Sequence, residues 1–131
     1  FGVYMAPRGA VTHLHVDGIG NALLMVVTGE KRFVLVPPSL YSLFINVDKA
    51  PQGEPLFEER LAALPERQRN DIEAHLVRFV AVAGDFVFVP RGWAHEVYTE
   101  EFSIMLTYNF IHGLSDIACS IAHSMWHGYP G

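Results

Sequence analysis

Apolar and polar positions alternate along most of this chain in short runs, the period expected of strands with one face inward and one outward. "GVYM" (2–5) and "VTHLHVD" (11–17) are two such runs, parted by the turn-forming "APRG". "NALLMVV" leads into Thr28-Gly29-Glu30 and resumes as "KRFVLV" until Pro37-Pro38 stops it, which predicts a hairpin. From Asp48 to Leu76 the character changes: Pro and Gly crowd 51–55, and then Glu, Arg, Leu and Ala recur at helical spacing around Pro65. That stretch predicts a helical or irregular insertion. "VRFVAVAGDFVFVPRGWAHEVYTE" returns to strand pattern, with turns at Ala83-Gly84-Asp85 and Pro90-Arg91-Gly92, and "FSIMLTYNF" reads as one more strand. Leu114, Ile117, Ala118, Ile121, Ala122 and Met125 then follow a helical period, with Ser115 placed to cap it. About seven short strands with tight turns, and helix mainly at one end, predict a small β-barrel or sandwich whose mouth is a natural ligand site.

The 131 residues suffice for one core, so residues 1–131 are read as a single domain. Half the residues are apolar (50%) and 18% are charged, as a well-filled interior requires. A net charge of -5, with only 9 Lys and Arg and those scattered, argues against direct nucleic-acid binding; a basic peptide suits the charge better. Cys119 is the single cysteine, which excludes an internal disulfide and a cysteine zinc cage and fits a reducing compartment. No apolar run approaches the roughly 18 to 20 residues that span a bilayer, and the start lacks a signal-peptide pattern, so no membrane role and an intracellular location are expected. Phe1 rather than Met opens the chain, which suits a part excised from a longer protein.

The chemistry concentrates in "THLHVDGIGN" (12–21). On a strand, His13, His15 and Asp17 share one face. Three neighbours on one strand approach a metal from a single line, so a ligand from another strand is required. His95, in "VPRGWAHEV" just past a Pro-Gly corner, is the best donor. Two imidazoles and a carboxylate would occupy one face of an octahedral iron(II), leaving the other face to a chelating co-substrate and oxygen. Taken alone, the spacing fits ordinary surface histidines equally well. His75 and His112 have no carboxylate at such spacing, and His123 and His127, at i and i+4, lack the intervening Glu of a zinc-protease helix.

In combination these pieces say more. "THLHVDGIGNALLMVVTGEKRFVLVPP", followed much later by "GDFVFVPRGWAHEVYTEEFSIMLTYNF", resembles the JmjC family of iron(II)- and 2-oxoglutarate-dependent oxygenases. "NFIHGLSDIACSIAHSMW" resembles the helix that follows the barrel in the lysine-demethylase branch with a PHD finger. The resemblance implies a mainly β double-stranded β-helix, a cupin or jelly-roll barrel, with a helical insertion and a C-terminal helix. It implies Fe(II) held by His15, Asp17 and His95 as the catalytic centre. It also implies 2-oxoglutarate held at its distal carboxylate by Lys31 and Thr12, with Asn109 contacting the co-substrate or orienting the site. His13 falls where the family varies and is expected beside the ligands or exposed, and Trp93 packs the corner that aims His95. The partners implied are O2 and a protein or peptide substrate, with a histone tail foremost, and the nucleus is expected ahead of the cytoplasm.

Histone lysine N-methyl demethylation is the leading expectation, and protein side-chain hydroxylation follows it. Two departures bear on that choice: Leu24 stands where the demethylase branch has an aromatic hydroxyl, and Thr107-Tyr108 replaces small glycines and narrows the pocket. A catalytically inactive JmjC-like binding module is a further alternative, against which the intact Thr12, His15, Asp17, Lys31 and His95 argue. A cupin with three His and one Glu needs Glu shortly after H-x-H, where Ile19 and Gly20 lie instead.

Overall fold

A computed structural model describes residues 1–18, 20–40, 55–114, 117, 118 and 121. Two long antiparallel strands form its spine: β3 (Asn21–Val36) and β6 (Ala94–Phe110). They pair from Asn21↔Phe110 to Val36↔Ala94, with register shifts between Val26 and Lys31. The irregular stretch is a crease. Gly29 sits there at φ +87°, and a Cβ on it would meet the Phe102 carbonyl oxygen at 2.1 Å. The Thr28-Gly29-Glu30 turn expected from sequence is therefore a bend within one strand, not the reversal of a hairpin. The segments either side of it pair with different neighbours. For the same reason "WAHEVYTE" and "FSIMLTYNF" join into the single strand β6.

The crease divides the sheet into two leaves. In the first, β1 (Gly2–Ala6) pairs with the end of β6, and β5 (Phe86–Val89) pairs with the start of β3. In the second, β2 (Val11–Val16) pairs with the start of β6, and β4 (Val77–Val82) pairs with the end of β3. Every pairing is antiparallel, as expected for the jelly-roll form of a cupin barrel. Leu24, Val26, Val87 and Met105 from the first leaf meet Phe33, Leu35, Ala81 and Val97 from the second, and this inner cluster is the core between them. The Ala83-Gly84-Asp85 turn is as expected: Gly84 takes φ +95° and Asp85 Oδ2 accepts the Val82 N–H at 2.9 Å.

The insertion supplies two short helices, α1 (Phe57–Ala62) and α2 (Glu66–Glu73), with Pro65 placed before α2, where its missing N–H does no harm. Phe57, Leu61 and Ile72 pack on Leu14, Val34, Val36 and Ala94, covering the outer face of the second leaf. The outer face of the first leaf is apolar too, with Leu23, Phe86, Phe88 and Tyr108 all exposed. Leu114, Ile117, Ala118 and Ile121 are helical, in line with the predicted terminal helix; Ser115, Ala122 and Met125 lie outside the described residues. Among the described residues no helix is long and apolar enough to cross a membrane.

Gly29 and Gly84 separate two kinds of strain. Both have positive φ, yet a Cβ at Gly84 meets nothing within 4 Å. Gly84→Ala is expected to lose about 1–2 kcal/mol, the left-handed backbone penalty alone. Gly29→Ala should lose a further 1–3 kcal/mol or so from overpacking against β6. Urea denaturation of both variants reads the difference, and equal losses would mean that the crease is not tight.

Candidate metal centre

β2 and β6 meet with Thr12 opposite Val97 and His15 opposite His95, so two residues of β2 (His13 and Leu14) stand against one of β6 (Glu96). This bulge breaks the alternation that sequence reasoning assumed. Thr12, His15 and Asp17 line the same cavity, while His13 is exposed and Leu14 is buried on the opposite face. The expectation that His13 shares the face of His15 and Asp17 is thus corrected. An extra residue in the strand shifts the phase of its side chains.

His15, Asp17 and His95 converge, each offering a ligand atom within 4.8 Å of the others. His15 Nδ1 lies 2.8 Å from the His13 carbonyl and donates to it, which leaves Nε2 as a lone pair 3.4 Å from Asp17 Oδ1. His95 has the same arrangement in looser form: Nδ1 is 3.5 Å from the Trp93 carbonyl, and Nε2 is 3.8 Å from the same Asp17 oxygen. The tautomers follow from these partners. Asn109 Nδ2 donates to the other Asp17 oxygen, Oδ2, at 3.4 Å, so Oδ1 is the one turned to the imidazoles. Two nitrogen lone pairs and a carboxylate oxygen facing one point call for a cation. This donor set, with each imidazole anchored through its second nitrogen, fits a divalent iron bound on one face.

The protonation equilibria agree with that geometry. Burial pulls the His15 imidazole down, but the bond to Asp17 and the His13 carbonyl outweigh it, and the pKa is raised. Burial would lift the Asp17 carboxyl, yet the His15 bond and the charge of both imidazoles hold it below the ordinary value. His95, more deeply buried and beside a second imidazole, is lowered to about 4.

Lys31 is 3% exposed and donates to Thr99 Oγ1 at 3.0 Å. Among the described residues no carboxylate pairs with it, and burial lowers its pKa. Lys31 pairs with Thr99, and Leu35 pairs with His95, so the ammonium arises four residues along the spine from the imidazoles, about 13 Å at strand rise. Both ends open on one cavity of about 270 Å³, walled by Leu24, Val97, Met105 and Thr107 and flanked by Tyr4 and Met5 of β1. Such a cavity suits a small anion bridging metal and ammonium. Thr12 lines it as well, but the hydroxyl bonded to Lys31 is that of Thr99. Sequence reasoning missed Thr99, although alternation from His95 through Val97 leads to it. Tyr108 is exposed on the outer face, so of the pair Thr107-Tyr108 only Thr107 narrows the pocket. Trp93 packs against the core between the leaves, at the corner where β6 begins.

Comparison with known proteins is consistent with this site. The cupin-like domain family matches residues 2–115. The 2-oxoglutarate and iron-dependent oxygenase JMJD4 of Gallus gallus is 30% identical over 128 residues, covering 95% of this chain and 28% of that protein. The JmjC domain-containing histone demethylation protein 1 of Caenorhabditis briggsae is 30% identical over 114 residues, 85% of this chain and 10% of its own length. The arginine-specific demethylase JMJ22 of Arabidopsis thaliana is 29% identical over 111 residues, 82% of this chain and 22% of its own length. This chain thus spans little more than a quarter of the JMJD4 proteins it matches. In fold it is similar to the Drosophila melanogaster CENP-C cupin domain, with a TM-score of 0.50 and 12% identity over 82% of this chain and 58% of that one.

Metal and protons compete for His15 Nε2. Since that pKa is raised, metal affinity should fall as pH drops through and below the ordinary imidazole value of 6.5, while His95, at about 4, stays neutral throughout. Titration with Co(II) in buffers of different ionisation enthalpy should show fractional proton release at neutral pH, rising toward about one proton per metal on acidification. His15→Ala should weaken binding and remove that release; His95→Ala should weaken binding and keep it.

Proposed function

This chain belongs to the cupin-like domain family, within its JmjC oxygenases, and from that membership and the geometry of its cavity we propose that it is an Fe(II)- and 2-oxoglutarate-dependent dioxygenase acting on protein. One observation carries the reading: a convergent His15–Asp17–His95 set and a buried ammonium, with no carboxylate paired to it among the described residues, open on the same small cavity. A dicarboxylate satisfies both ends. Its distal carboxylate neutralises Lys31, which Thr99 holds in place, with Thr12 close by on β2. Iron(II) held by His15, Asp17 and His95 would, with 2-oxoglutarate and O2, supply the oxidising power, one oxygen atom passing to succinate as carbon dioxide is lost and the other to the substrate C–H bond. The chain's own work is placement: Asn109 donates to Asp17, and Leu24, Val97 and Met105 give the cavity its apolar wall.

Within that class, removal of an N-methyl group from lysine, with a histone tail as substrate, is the leading assignment. The C-terminal resemblance supports it, and the name of the Caenorhabditis briggsae relative, a histone demethylation protein, supports a histone substrate. Hydroxylation of an unmodified side chain is the second reading. Leu24 and Thr107, which narrow the cavity beside Asn109, favour it.

Fe(II) and 2-oxoglutarate added without oxygen should give a weak visible charge-transfer band, absent from His95→Ala; no band in the parent would defeat the oxygenase reading. With oxygen and methylated histone peptides, formaldehyde release marks demethylation, and gain of one oxygen by the peptide marks hydroxylation. Lys31→Met should weaken 2-oxoglutarate binding by roughly 2–5 kcal/mol, the cost of truncating one side of a buried charge pair. It should also melt no earlier than the parent without ligand, because it removes an uncompensated charge. Calorimetric titration and thermal melts read the two effects separately.

A further inference from the structure

Glu96 is fully buried although the mechanism above makes no use of it. It is the β6 residue that stands against the two-residue bulge of β2. Its side chain points away from the cavity, and Oε2 accepts the Leu14 N–H at 3.2 Å, an amide inside the bulge. The same oxygen accepts the N–H of Phe57, the first residue of α1, at 3.1 Å, and Oε1 accepts the Tyr98 hydroxyl. Without the bulge, Thr12 and His15, three positions apart, would lie on opposite faces of β2. A buried amide released from its ladder needs a partner, and here the carboxylate supplies one.

We propose that Glu96 is a positioning residue for the metal centre: its carboxylate holds the β2 bulge in the form that turns His15 and Asp17 toward His95, and ties that form to helix α1. The inference rests on the reading of His15, Asp17 and His95 as metal ligands. It assigns the helical insertion a role in the site that its distance from the cavity conceals.

Co(II) affinity and thermal stability, measured on the same samples, test it. Glu96→Ala should bind Co(II) about ten- to a hundredfold more weakly while its far-ultraviolet circular dichroism stays folded. Glu96→Gln, which keeps one acceptor oxygen for Leu14, should recover most of the affinity. Tyr98→Phe, which leaves the Leu14 bond intact, should bind as the parent does. Leu61→Ala removes packing from the same helix without touching the carboxylate, and should lower the melting temperature while leaving affinity unchanged. Affinity in Glu96→Ala within about twofold of the parent, or an equal loss in Leu61→Ala, would overturn the proposal. If Glu96→Ala does not fold, Glu96→Met, which fills much of the same space but offers Leu14 no acceptor, stands in for it, and affinity within about twofold of the parent would count against the proposal. A parent that binds no Co(II) refutes the metal reading itself. Placement is then judged by the imidazole proton resonances of His15 and His95, which Glu96→Ala should shift and Leu61→Ala should not.

Discussion

The pairing of β3 with β6 is the constraint from which the rest of the molecule follows. Each strand belongs to both leaves, and so the leaves cannot be placed independently. The end of β6 that carries His95 and the end that carries Asn109 both reach Asp17 because the strand is creased midway. The crease in turn depends on a backbone approach that tolerates no side chain at Gly29. Burial on both sides of the spine fixes its register. Phe33 and Leu35 face the core between the leaves, while Val34 and Val36 face the helices, so a slip by one residue would exchange the two sets.

Much of this could be read from the chain, and the failures have a common cause. Alternation located the strands, and Pro65 and Pro37-Pro38 marked where strand gives way to other structure. His15, Asp17 and His95 stood out because the whole series of segments around them resembles one family, their spacing alone being ordinary, and the structure brings them together. What local pattern could not say was which strand each segment would pair with. Thr28-Gly29-Glu30 has the composition of a reversing turn, and a glycine at positive φ serves a crease equally well; only the long-range pairing decides between them. Alternation put His13 on the wrong face, although the resemblance allowed for its exposure, because a bulge leaves no mark in the sequence when the residues within it, a His and a Leu, suit a strand. Glu96 was invisible for a similar reason, since its partners at Leu14 and Phe57 meet it only in the folded chain. Thr99 was within reach of simple alternation from His95.

Electrostatically the cavity is divided. At one end the Asp17 carboxyl is held low by the imidazoles beside it; at the other the Lys31 ammonium is destabilised by burial, with a hydroxyl as its partner. Desolvating a lone charge is costly, and that cost is offset when an anion enters. The outer ion pairs differ in kind. Arg78 with Glu58 and Glu73, and Arg32 with Glu58, join the helical insertion to the second leaf, while Arg32 with Glu100 links β3 to β6; all lie at partly exposed positions, where each pair contributes little and the network chiefly fixes orientation.

The bulge in β2 has a consequence for how this segment tolerates change in length. Facing direction along a strand is a matter of parity, odd or even, and the bulge absorbs the extra residue between Thr12 and His15 so that both keep one facing. Loss of a single codon at 13 or 14 would leave Thr12 and His15 two positions apart, so that a regular strand without a bulge would still turn Thr12, His15 and Asp17 toward one side. This point of the chain therefore tolerates a shorter count: the pairing on either side sets the facing, and the bulge takes up one residue more than that pairing needs.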